Sequence, residues 1–281
     1  MKIIIEILKG AMIGIANIIP GLSGGTLAVV MNIYDKLITA LSDILKSPIK
    51  AIKSVWIYLV GIGVGIVFGV FAITFLLEKF EAPTTALFVG LIIGAIPLLL
   101  KQVENKKVTK SNIIISVVMA LIVISLPFLS MIGIDSNVEN PVIYFFLGAI
   151  SAGTMVVPGV SGSMVLMTLG YYDKVMELIK ETINALAGFE FDIVLNNLIH
   201  ILPFGLGVVL GIILIAKFIK WLFEKHKQLT IFAILGLVIA SPFAVIVEMS
   251  ITSIDIITII VSVISLVVGY KIADYFGKME E

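Results

Sequence analysis

Long apolar stretches alternate with short polar connections along this chain, and two of the stretches are broken in the middle. The unbroken ones cover 55–77, 84–100, 112–131, 198–222, 229–248 and 254–270. Each is close to the roughly 17–25 apolar residues that cross a bilayer core as a helix, so the pattern predicts six transmembrane helices. Two further apolar regions, 3–45 and 141–181, are interrupted by Pro20-Gly21-Leu22-Ser23-Gly24 and by Pro158-Gly159-Val160-Ser161-Gly162. Such a break in lipid frees backbone N–H and C=O groups, and these are tolerated only where they are buried in protein or line a cavity. With 60% hydrophobic residues and 14% charged ones in 281, the chain reads as an all-α integral membrane protein with no soluble domain.

The two broken regions are copies. Gly10–Leu41 aligned with Gly148–Ile179 without a gap has 9 of 32 positions identical, including Tyr34-Asp35-Lys36 with Tyr172-Asp173-Lys174. The similarity continues downstream, where glycine spacing aligns Gly63, Gly65 and Gly69 with Gly205, Gly207 and Gly211, and Gly90 with Gly236. These glycine stripes, Gly61 included, are expected to seat the spans closely on the broken segments. The chain therefore divides into two repeats, 1–132 and 141–281. Each holds one broken segment and three spans.

A broken segment either turns back as a re-entrant hairpin or crosses as one kinked helix. Its arms, from Lys9 to Ser23 and from Ser23 to Asp35, are each about 20 Å long as helix, and that length suits both. Lysine placement discriminates. With two returning hairpins, 16 of the 19 lysines fall on one side and only Lys79, Lys174 and Lys180 on the other. The positive-inside rule then places both termini in the cytoplasm. Three crossings per half is an odd number, so the second repeat is expected to be inverted relative to the first.

Charge and composition narrow the chemistry. There is no cysteine, and every basic residue is a lysine. Without a guanidinium fork, a bound anion has to be held by backbone N–H groups, hydroxyls or lysine. His200 and His226 stand alone with no metal-ligand spacing, and no Walker, dinucleotide or zinc signature appears. No metal, cofactor or nucleic-acid partner is expected, and the oligomeric state is left open.

The breaks themselves are the candidate site. A second helical arm starts right after each turn, at Gly24-Gly25-Thr26 and Gly162-Ser163-Met164. The first N–H groups of a helix lack internal partners and carry its positive dipole end. Ser23 and Ser161 occupy N-cap positions, with Thr26 and Ser163 adding hydroxyls nearby. Two such ends converging near the midplane would make an anion site. The substrate-binding set is Pro20, Gly21, Ser23, Gly24, Gly25 and Thr26 with Pro158, Gly159, Ser161, Gly162 and Ser163. A purely structural role, a break that lets helices pack closely, stands beside this reading. Tyr34, Asp35, Lys36, Tyr172, Asp173 and Lys174, expected to close the second arms, are interfacial anchors or gating and coupling groups.

The double Pro-Gly-x-Ser-Gly motif, with Tyr-Asp-Lys after each copy, resembles the PopT-type polyprenyl-phosphate translocases, a family formerly known only as a membrane domain of unknown function. The resemblance spans essentially the whole chain. It implies a lipid transporter of the cell membrane, and not an enzyme, that returns undecaprenyl phosphate from the outer to the cytoplasmic leaflet during cell-wall synthesis. The second copy departs from the first where Gly25 becomes Ser163 and Thr26 becomes Met164. Two alternatives remain at this level. One is a transporter or channel for a small anion, which the same helix ends would suit. The other is an undecaprenyl-pyrophosphate phosphatase, whose motif carries an arginine where Gly24 and Gly162 stand here.

Overall fold

The computed structural model of the chain describes residues 2–17, 22–103, 107–132, 140–247 and 255–278. Every regular element among them is a helix. The order is α1 (Lys2–Ala16), α2 (Gly24–Val30), α3 (Tyr34–Asp43), α4 (Pro48–Lys101) and α5 (Lys110–Ile132), then α6 (Pro141–Val156), α7 (Gly162–Thr168), α8 (Tyr172–Ala187), α9 (Phe191–Val247) and α10 (Ile256–Lys278). Five stretches are long and apolar enough to cross a membrane: Pro48–Ile73, Phe75–Lys101, Lys110–Leu129, Phe191–Val247 and Ile256–Lys278. The protein is a multi-pass helical membrane protein.

The two longest helices are each bent once, at matching places. A straight α4 of 54 residues would be about 80 Å long, far more than a core of about 30 Å needs. It breaks at Phe80 (φ −140°, ψ 49°). There Thr84 Oγ1 donates to Leu76 O at 3.3 Å, although eight residues of straight helix would separate them by about 12 Å. The chain therefore reverses. Pro83 lacks the N–H that would have bonded to Lys79 O, so continuing the helix would cost a bond and a ring clash. The 57-residue α9 breaks in the same way at His226 (φ −138°, ψ 45°), within the charged run Glu224-Lys225-His226-Lys227. Both breaks fall in the gaps expected between spans, so each long helix supplies two arms.

Close backbone contacts at glycine show how the helices sit. A Cβ on Gly61 would lie 2.3 Å from Ile7 O, and one on Gly65 2.1 Å from Ala11 O. The second half repeats this, with Gly207 against Phe145 O (1.9 Å) and Gly211 against Ala149 O (2.1 Å). Since α1 aligns with α6 residue for residue, Gly61 and Gly65 are the structural counterparts of Gly207 and Gly211. The alignment by glycine spacing is therefore displaced by four residues, one helical turn. Gly63 and Gly205 meet nothing within 4 Å, so the close-packing role expected of them is not theirs.

These contacts also order the helices. Rising numbers on α1 match rising numbers on α4, so α1 and the first arm of α4 run parallel, as do α6 and the first arm of α9. The last helix of each half packs on the opposite half. Gly90 of α4 abuts Leu266 O of α10 (2.0 Å), and Gly236 of α9 abuts Ser116 O of α5 (2.0 Å). At the centre, every residue of α2 is buried, packed with Leu91, Ile92 and Ala95 of α4 and Ile234, Leu235 and Val238 of α9.

The short helices α2 and α7 end sooner than expected. Each is followed by a left-handed residue, Asn32 (φ 57°) and Gly170 (φ 75°), at aligned positions. Asparagine and glycine are the residues that tolerate this conformation best. The Tyr-Asp-Lys motifs consequently open α3 and α8 and do not close the second arms. Asp35 and Asp173 lie in first turns, where the helix dipole favours a carboxylate.

Candidate functional site

The two breaks meet, but not with one N-terminus facing the other. The C-terminal end of α6 leaves its last carbonyls without helical partners, and the first break supplies donors for them. Ser23 Oγ stands 3.4 Å from Met155 O and 3.3 Å from Val157 O, so its single proton is aimed at that pair. The Tyr34 hydroxyl donates to Val156 O at 3.0 Å. In return, Gly159 N of the second break donates to Thr26 Oγ1 at 2.7 Å. Ser23 also caps α2, its Oγ accepting from Gly25 N at 3.2 Å. The positive end of α2 thus opposes the negative end of α6. Among the described residues, the N-terminus of α2 therefore faces the end of α6, and the cavity beside it is lined from both sides of this contact. Carbonyls freed in a membrane interior have to be satisfied internally, and the nearest donors belong to the other break.

The second break is packed more tightly. Pro158 is fully buried. Gly159 has φ +83°, and a Cβ there would lie 2.7 Å from Leu237 O. A Cβ on Gly162 would lie 2.6 Å from Ser151 O. Ser161 stands at the N-cap of α7 without making the cap hydrogen bond; its hydroxyl pairs with that of Ser163 at 2.7 Å. Pro20 and Gly21 of the expected set lie outside the described residues.

A cavity of about 310 Å³ adjoins the first break. Asn17, Gly24 and Gly25 form its polar end, while Leu37 and Leu41 of α3 and Val55 and Leu59 of α4 belong to its apolar walls. Ile52 and Leu59 of α4 are each 47% exposed, so the cavity is open to the outside along the first arm of α4. Asn17 was not singled out in the sequence. Its signal was a carboxamide inside an apolar run, at the position where the second copy has Met155. Its Nδ2 donates to Ile13 O at 3.1 Å, and it stands so near Gly24 that a Cβ there would lie 2.6 Å from Asn17 Oδ1.

The Tyr-Asp-Lys residues are dispersed. Only Tyr34 reaches the tips. Asp35 borders a separate cavity of about 30 Å³ with Asn32, Gln102 and Phe223, where Gln102 Nε2 donates to Asn32 Oδ1 at 3.2 Å. Partial desolvation raises the Asp35 carboxyl above the usual range against the opposing pull of Lys227. Lys36 reaches Tyr58 on α4. In the second half, Tyr172 packs with Tyr144 and Tyr171, Asp173 stays in the first turn of α8, and Lys174 Nζ stands 5.8 Å from the Tyr171 ring centre.

A sequence model described as VCA0040-like, undecaprenyl phosphate translocase-like, matches residues 13–261. The chain belongs to this family. A polyprenyl-phosphate transporter of Vibrio cholerae serotype O1 is 28% identical over 248 residues, which cover 83% of this chain and 74% of the relative. A polyprenyl-phosphate transporter of Staphylococcus aureus is 29% identical over 288 residues, covering 98% and 96%. No solved structure matches the chain. Both breaks, and the cavity beside the first, lie inside the matched region.

Proposed function

We propose that this protein moves a polyprenyl phosphate across the cytoplasmic membrane, returning the carrier lipid from the outer to the inner leaflet without altering it covalently. The observation that carries this reading is the shape of the cavity beside the first break. A phosphate headgroup fits the end formed by Asn17, Gly24 and Gly25, and an isoprenoid chain fits the apolar walls, which are exposed along α4 at Ile52 and Leu59. A small anion would call for a polar path instead of these walls. The names of the two relatives point to the same class of cargo.

Both breaks take part in this reading, with Ser23, Gly24, Gly25, Thr26, Ser161, Gly162 and Ser163 meeting the phosphate and Pro158 and Gly159 shaping the second turn. The donors a phosphate needs are already present but engaged: Ser23 and Tyr34 hold carbonyls of α6, and Thr26 holds Gly159 N–H. Passage therefore exchanges one set of hydrogen bonds for another, which costs far less than exposing bare polar groups. The parallel run of α1 with α4, and of α10 with the second arm of α4, supports returning hairpins in an inverted repeat. Lys46, Lys217 and Lys220 share one basin with Asp43, and Gln228 donates to Lys107 O. A gathering of the lysine-rich loops at one end supports cytoplasmic termini.

Reconstitution into liposomes tests the reading. The native protein is expected to transfer labelled undecaprenyl phosphate between leaflets and to give no chloride flux above protein-free vesicles. Chloride flux without lipid transfer would overturn it in favour of a small-anion pathway.

A further inference from the structure

We infer that Lys36 and Tyr58 form a phosphate-recognition pair beside the cavity, and that this pair selects phosphate monoesters over the diesters of ordinary phospholipids. The inference rests on the transport reading above and assigns its countercharge. Lys36 lies exposed on the first turn of α3, and its Nζ stands 3.3 Å from the Tyr58 hydroxyl and 4.7 Å from the centre of that ring. Among the described residues no carboxylate pairs with Lys36. Its neighbour Asp35 faces the small chamber near Lys227 instead. By contrast Lys220 is neutralised by Asp43 at 2.8 Å and Lys278 by Asp274 at 2.7 Å.

Depth makes that difference matter. Tyr58 stands five residues, about 7.5 Å, further along α4 than Lys53, and it is 3% exposed. Lys36 thus keeps its ammonium exposed beside a buried tyrosine, and ionisable residues within apolar helical regions mark the paths of ions and substrates. The pair bridges α3 and α4 where Leu37 on one side and Val55 and Leu59 on the other line the cavity. Gly10 of α1 abuts Tyr58 O, and Asn17 lies seven residues, about 10 Å, deeper along α1. Lys36 and Tyr58 do not themselves line the cavity but are the chain neighbours of Leu37 and Leu59, which do, and this places the pair beside the route between the lysine-rich end and Asn17.

The two halves differ at this point. Gly148, the counterpart of Gly10, abuts Phe204 O, so the second half has phenylalanine where the first has Tyr58. The hydroxyl that completes the pair exists only beside the cavity of the first half. A phosphate monoester carries about −1.5 to −2 at neutral pH and offers three acceptor oxygens, which suits an ammonium and a hydroxyl together. A diester carries a single charge and gains less from the same cation.

Initial transfer rates in liposomes, measured against lipid mole fraction for a polyprenyl phosphate and for its methyl diester, separate recognition from mere tethering of α3. The native protein is expected to prefer the monoester. Lys36→Gln should raise KM for the monoester at least tenfold, with a smaller change in kcat, and abolish the preference. Lys36→Arg should restore most of the preference, and Tyr58→Phe, which keeps the ring, should raise KM severalfold. A Lys36→Gln protein with native KM and native preference overturns the assignment even if its thermal stability falls. Should Lys36→Gln fail to fold, Tyr58→Phe decides, and an unchanged KM overturns the pair. If the native protein transfers neither lipid, the transport reading fails and this inference falls with it. Transfer by the native protein with unaffected variants rejects the pair alone.

Discussion

At the scale of single residues, the two aligned glycines that start α2 and α7 are not equivalent. A side chain on Gly24 would meet the carboxamide of Asn17, which has room to swing into the cavity. One on Gly162 would meet a backbone carbonyl, Ser151 O, that cannot yield without moving α6. Gly24→Ala is therefore expected to leave the melting temperature in detergent within a few degrees of native, while liposome transfer drops at least tenfold. Gly162→Ala is expected to lower the melting temperature clearly. The gain of about 1 kcal/mol in helix propensity from replacing a helical glycine does not offset displaced backbone. Equal melting temperatures for the two variants would contradict the packing described for the second break.

Among the elements, the glycine register sets the distance between the first helix of each broken segment and its neighbouring span. Gly65 and Gly211 each abut a carbonyl at about 2.1 Å from where a Cβ would be, whereas Gly63 and Gly205 face open space. Gly65→Leu and Gly211→Leu are expected to abolish folded protein, measured as the monodisperse fraction after detergent extraction. Gly63→Ala and Gly205→Ala should match the native yield or exceed it. The reverse ranking would restore the alignment by glycine spacing. Sequence periodicity could not settle this, because glycines two and four residues apart on one helix fit either register. Only the partner carbonyls on α1 and α6 distinguish them.

For the molecule as a whole, the arrangement is tested by sidedness. The native chain has no cysteine, so single ones can be placed at exposed positions. With an impermeant thiol reagent on intact cells, Glu190→Cys is expected to label from outside, while Lys46→Cys and Lys225→Cys label only after permeabilisation. Labelling of Lys46→Cys and Glu190→Cys from the same face would reject the inverted repeat. The Asp43–Lys220 ion pair, which ties α3 to α9 across the two halves, places residues 46 and 225 at one end. Lys220 hydrogen-bonds Asp43 and holds its carboxyl below the usual carboxylate range. The pair is thus complete at neutral pH and is lost only as pH falls through that lowered value.

Membrane character, the duplication and the sites of breakage follow from the order of residues alone, since apolar length, Pro-Gly pairs and charged runs act locally. The breaks at Phe80 and His226 lie within the polar gaps for that reason. What faces the broken ends is a matter of distance in space. Nothing near Ser23 in the chain announces that its hydroxyl would meet Met155 O and Val157 O, 132 and 134 residues away. The same holds for Asn17 at the cavity end and for Tyr58 beneath Lys36, both unremarked in apolar runs. The requirement that freed backbone groups be satisfied inside a membrane is legible in the sequence; which groups satisfy them depends on the tertiary packing, because in lipid the partner is whatever donor the fold brings within hydrogen-bond reach.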